Sequence, residues 1–141
     1  TLFPYTTLFR SLLASAISAK AIVRTKMVEL QREMGKMGGV ILDGRDIGTV
    51  VFPRAELKFF LIAPVEIRAQ RRFLELQAKG LSPSFEEVLK ELEERDKADS
   101  TRALAPLIPA SDAIEIDTGQ QSIEGQVAEL YRHYQTRIAE L

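Results

Sequence analysis

The chain has 141 residues, 45% hydrophobic and 28% charged, with a formal net charge of −1. That balance suits one globular domain with a sizeable core and gives no bulk attraction to nucleic acid or an anionic membrane. It contains no cysteine, which excludes disulfides and thiolate zinc sites, and no apolar run approaches the roughly 20 residues that span a bilayer.

The first eleven residues, Thr1 to Ser11, read unlike the rest. They show neither helical periodicity nor alternation, and lack the basic start and apolar stretch of a signal peptide. At all eleven positions they resemble the translation of a common sequencing-library adapter, and the first methionine is Met27. Residues 1–11 are therefore expected to be non-native, with the native domain running over 12–141.

From Leu12 to about Met34 apolar residues recur at helical spacing, and Gly35 and Gly38-Gly39 end the pattern. Val40-Ile41-Leu42 reads as a short strand buried on both faces of a parallel sheet. A loop from Asp43 to Pro53 follows, then a second strand over Leu57 to Ile62. Pro64 suits a first helical turn, and that helix should stop at Gly80. Ser84 with Glu87 is a capping box, predicting a helix from Phe85 to about Lys97. Pro106 and Pro109 mark an extended connection, Ala113 to Ile116 a third strand, and Ser122 the start of a last helix. Strands separated by helices favour a largely parallel sheet in an α/β fold.

Arg45-Asp46 follows the first predicted strand in a glycine turn, where α/β enzymes deliver polar groups to a ligand. An arginine there can fork onto a phosphate, and an aspartate can accept from an exocyclic amine such as cytosine N4. An ion pair internal to the turn is the competing reading. Arg68, Arg71 and Arg72 crowd one helix, where a bound polyanion would relieve their repulsion; a solvated face balanced by Glu66 and Glu75 is the alternative. Arg95, Asp99 and Arg102 recur at four and three residues, so they face one way while the helix persists. The acidic run Glu86, Glu87, Glu91, Glu93 and Glu94 is a solvent face opposite Phe85, Val88, Leu89 and Leu92. His133, the sole histidine, reads as an ordinary helix-face residue. The Walker pattern Gly-x-x-x-x-Gly-Lys-Ser/Thr is absent: the sole Gly-Lys pair, Gly35-Lys36, has Leu30 and Met37 where glycine and Ser/Thr should stand.

Taken together, Asp43-Gly-Arg-Asp-Ile-Gly-Thr-Val-Val-Phe-Pro53 closely resembles the corresponding segment of the bacterial cytidylate kinase, or (d)CMP kinase, family. The resemblance continues through Leu57–Leu61, Arg68–Arg72, Gln77–Gly80, Glu94-Arg-Asp96, Arg102–Leu107 and Asp117 to the final helix. It implies a P-loop nucleoside-monophosphate-kinase fold, a parallel sheet with flanking helices, here missing its N-terminal P-loop strand. It implies transfer of the ATP γ-phosphoryl to CMP or dCMP with Mg²⁺, in a cytoplasmic monomer with no nucleic-acid or membrane partner. Arg24 and Asp46 resemble the pair that reads cytosine, and Arg45 a clamp on the CMP phosphate. Ser15, Arg95 and Asp99 resemble sugar contacts, and Arg102 a further base or phosphate contact. Arg71 and Arg72 resemble lid arginines that stabilise charge on the transferring phosphoryl. The family's glycine loop, with its lysine and Mg²⁺-binding threonine, is absent from these residues. Read this way, the chain is the C-terminal part of a (d)CMP kinase, expected to be inactive alone and unstable or aggregation-prone; no ATP-binding or metal-binding residue is assigned. The alternatives are another P-loop nucleotide kinase and a natural nucleotide-binding module without the loop.

Overall fold

The computed structural model describes residue 17 and residues 20–140. Residues 1–11, the start of the first predicted helix and Ser15 lie outside the described residues. The elements are α1 (Ala21–Met34), a π-helical turn (Ile47–Val51), β1 (Phe59–Ile62), α2 (Val65–Ala78), α3 (Phe85–Thr101), β2 (Ile114–Asp117) and α4 (Ile123–Ala139).

β1 and β2 pair in parallel, with Phe59 opposite Ile114 and Ile62 opposite Asp117. The α2–α3 hairpin is the crossover that parallel strands require. Ladder bonds continue past both ends. Ile114 N–H donates to Lys58 O (2.9 Å), and the Thr118 amide and hydroxyl both donate to Ile62 O (2.8 and 3.0 Å). Ile116 is the buried residue on β2.

The main core is the hairpin itself. Ala69, Phe73 and Leu76 recur at four and three residues on α2 and meet Phe85, Val88, Leu89 and Leu92 of α3. Phe73 and Phe85 pack edge to face at 6.2 Å. α3 starts as expected: Ser84 Oγ accepts from the Glu87 amide (3.1 Å) and Glu87 Oε2 accepts from the Ser84 amide (2.9 Å). α2 ends at Gly80, whose φ of +75° is a left-handed turn that glycine adopts without steric cost. No helix among the described residues is long and apolar enough to cross a membrane.

Two sequence expectations are corrected. α3 runs to Thr101, not Lys97, so Arg95 and Asp99 share one helix. Val40-Ile41-Leu42 is not a strand, and Ile41 is fully exposed. A strand exists through its ladder, and among the described residues nothing pairs with this segment, so local β propensity is not enough. Other large apolar side chains are also open: Ile22, Met27, Leu30 and Met34 on α1, and the row Ile123, Val127, Tyr131, Tyr134 and Ile138 on α4.

Lys58 is buried just before β1. Its ammonium donates to Pro53 O (2.7 Å) and to both Asp112 carboxylate oxygens (2.8 and 2.6 Å), tying the start of β1 to the turn before β2. The Lys58 hydrogen bonds hold the Asp112 carboxyl below its ordinary pKa. A depressed folded-state pKa contributes stability that is present above the unfolded value, about 3.9, and is lost as pH falls through the folded value. Asp112→Asn is therefore expected to remove part of the acid limb of the stability curve. The check is urea unfolding of both proteins between pH 3 and 6; parallel curves would refute the assignment.

Candidate functional site

The loop between α1 and β1 presents Arg45 and Asp46 side by side, and each meets a different helix. Asp46 forms a close ion pair with the Arg24 guanidinium of α1, and both side chains are 13% exposed. Arg45 turns to the end of α3. Its Nε lies 3.1 Å from Asp99 Oδ2 and its Nη2 lies 3.8 Å from Asp96 Oδ1.

Asp99 is the centre of this cluster and only 3% exposed. Besides Arg45 it is approached by Arg102 Nη1 at 3.5 Å and Arg95 Nε at 3.8 Å. Asp96 receives Arg68 Nη1 of α2 at 2.7 Å. Arg68 Nε also donates to Ala63 O (3.0 Å), at the end of β1. Four guanidiniums thus share two carboxylates, leaving a local surplus of two positive charges. Burial, and next the repulsion of Arg95, push the Arg45 guanidinium below its ordinary pKa, partly offset by Asp99 and Asp96. A dianion would relieve that strain and could be gripped by planar forks.

Polar valences also stand open here. Arg24 Nε, Arg95 Nε, Arg102 Nη2, Asp96 Oδ1 and Asp99 Oδ2 are buried without a hydrogen-bond partner. Buried polar groups are normally paired, so this concentration in one cluster marks a place where a polar ligand fits. Ala105, at φ +52°, adopts a left-handed conformation uncommon outside glycine, and its carbonyl accepts from Arg102 Nε.

The structure sets Arg24 against Asp46, two residues that only the resemblance had linked, and gathers Arg95, Asp99 and Arg102, which the spacing had put on one face, around Arg45. Of the three crowded arginines of α2 it adds Arg68 alone, through Asp96: their pairing joins two helices and has no local spacing to reveal it. Arg71 and Arg72 point elsewhere. Arg71 Nη2 donates to Thr118 O (2.5 Å), and Arg72 Nη1 pairs with Glu75 Oε2 (2.8 Å) within α2. A groove of about 310 Å³ lined by Lys58, Asp112, His133 and Arg137 shares no residue with this cluster. There His133 packs against the edge of Phe59, centroids 6.0 Å apart, as a helix-face residue would.

Comparisons with known proteins bear on this arrangement. The family model described as "Cytidylate kinase" matches residues 11–136. A cytidylate kinase of Enterococcus faecalis is 55% identical over 114 residues, covering 81% of this chain and 50% of that protein. Those of Phocaeicola vulgatus and of a Geobacter species are 50% and 49% identical, covering 88% and 92% of this chain and 54% and 55% of theirs. The chain spans about half the length of the curated relatives it matches. With an α/β architecture, a parallel sheet and flanking helices, the chain belongs to the cytidylate kinase family.

Proposed function

We propose that residues 12–141 are the C-terminal part of a (d)CMP kinase domain, and that the complete protein transfers the ATP γ-phosphoryl to CMP or dCMP. The observation that carries this reading is the single loop that sets Asp46 against Arg24 and Arg45 among Arg68, Arg95 and Arg102. A carboxylate held beside a guanidinium suits cytosine. Asp46 accepts from the N4 amine, and the free Arg24 Nε donates to a ring acceptor. Uracil presents an acceptor at that position, which the Asp46 carboxylate would repel. The neighbouring surplus of positive charge suits the monophosphate dianion, with Arg45 as its clamp.

In this reading Ser15, Arg95 and Asp99 contact the sugar, and Arg102 the base or phosphate. Arg71 and Arg72 serve as lid arginines only after leaving Thr118 and Glu75, which makes lid movement part of the proposal. ATP and Mg²⁺ would supply the phosphoryl group and its charge neutralisation. The residues present do not fit them: the chain has no Walker pattern, and the described residues hold no carboxylate or histidine cluster able to bind a metal ion. Their binding is assigned to the part of the relatives' length that this chain does not span. The open apolar rows on α1 and α4 fit a surface that such a part would cover. We place the enzyme in the cytoplasm as a monomer.

A coupled assay of nucleoside diphosphate formation by the complete protein tests the proposal. CMP and dCMP should be phosphorylated and UMP used at least about tenfold less well, a discrimination of at least about 1.4 kcal/mol. Preference for AMP or UMP, or no transfer at all, would overturn it.

A further inference from the structure

Asp46 opens the π-helical turn Ile47–Val51, so its position depends on what holds that turn. The backbone bonds are few: Val50 N–H and Val51 N–H donate to Asp46 O (2.9 and 3.3 Å), and Phe52 N–H donates to Ile47 O (2.7 Å). π turns are rare and gather at functional sites. This one ends abruptly, because Pro53 has no N–H to continue the ladder. The last carbonyls of such a turn therefore need outside donors. Arg32 supplies them: its Nε donates to Val51 O (3.0 Å) and its Nη2 to Val50 O (2.6 Å).

Arg32 sits on α1, eight residues beyond Arg24 and about 12 Å along the helix. One helix thus grips both ends of the turn: Arg24 takes the Asp46 carboxylate at the start, and Arg32 takes the two free carbonyls at the finish. The guanidinium fork suits this task, since it reaches two acceptors in one plane and places positive charge at the negative end of the turn's dipole. The end of α1 is fitted to the same loop. A Cβ on Gly35 would collide with the Phe52 ring, directly after the turn.

We propose that Arg32 is a positioning residue for base recognition: by closing the π-helical turn it fixes the Asp46 carboxylate where it reads the cytosine amine. The proposal rests on the functional reading above. The Arg32 guanidinium is spent on main-chain carbonyls of the turn, so its loss should act through the turn.

The test uses the complete protein carrying Arg32→Ala or Arg32→Lys, with two readouts. The first is amide exchange at Val50, Val51 and Phe52, expected to quicken at least about tenfold in Arg32→Ala as the turn opens locally. The second is the ratio of kcat/KM for CMP to that for UMP, expected to fall at least about fivefold in Arg32→Ala and less in Arg32→Lys, which restores one donor. A lower melting temperature with unchanged amide exchange and unchanged CMP preference would reduce Arg32 to a general stabiliser and overturn the proposal. Faster exchange with CMP preference intact would overturn the link to Asp46. A wild-type enzyme with no preference for CMP would sink the functional reading itself, seen before any variant is made; the exchange data would then decide alone whether Arg32 holds the turn.

Discussion

Asp46→Asn in the complete protein is expected to lower kcat/KM for CMP about 100-fold, roughly 2.7 kcal/mol of transition-state stabilisation, and to narrow the gap between CMP and UMP. Two effects add. The amide can accept from the N4 amine only in one flip state, and in the other it presents a donor that suits uracil O4 instead. Arg24 also loses its counter-charge while remaining largely buried, at 13% exposure. An unpartnered buried guanidinium would draw the loop out of place or recruit an anion. Steady-state kinetics with both nucleotides separate the contributions. Loss of discrimination implicates base reading, whereas an equal drop for CMP and UMP would mean that Asp46 merely holds Arg24. Wild-type kinetics in the variant would remove Asp46 from the site.

Asp99→Ala is expected to cost about 3 kcal/mol of folding stability, at the lower end for breaking a buried ion pair because its arginines remain part exposed. In a domain of the relatives' size this is a fall in melting temperature of about 6–12 °C. The carboxylate is 3% exposed and stands among Arg45, Arg95 and Arg102, which without it repel one another across a few ångströms. The diagnostic feature is rescue. Millimolar inorganic phosphate should raise the melting temperature of Asp99→Ala more than that of the wild type, since the anion can take over part of the lost neutralisation. A fall of less than about 2 °C would mean that the arginines are satisfied by solvent and that the cluster is not an ionic network.

Local signals in the sequence were readable where the physics is local. Ser84 and Glu87 announced the start of α3, and Ser122 does cap α4, accepting from the Gly125 amide at 3.1 Å. Gly80 did end α2, and Phe59–Ile62 and Ile114–Asp117 stand within a residue or two of the strands expected there. The spacing of Arg95, Asp99 and Arg102 places them together because one helix carries the first two and Arg102 caps its end. Val40–Leu42 has the composition of a strand without forming one, because a strand depends on a neighbour that sequence propensity does not contain. The pairing of Arg68 with Asp96 is invisible for the same reason: they are joined across the hairpin, and nothing in either helix alone predicts it. Arg32 was hidden more deeply, since its partners are main-chain carbonyls, which have no letter in a sequence.

The two-stranded ladder has a consequence for how the site can vary. Arg68, Arg95, Asp96, Asp99 and Arg102 all lie in the segment between β1 and β2, whose ends are clasped by Phe59 to Ile114 and Ile62 to Asp117. The entropy of closing such a loop grows only with the logarithm of its length, about 0.6 kcal/mol for each doubling. A clasp of this kind tolerates residues gained or lost at the helix ends, such as the Gly80–Pro83 turn, at little thermodynamic expense. The helices that carry these residues can therefore be lengthened or re-angled by selection while the strands beneath them stay in register.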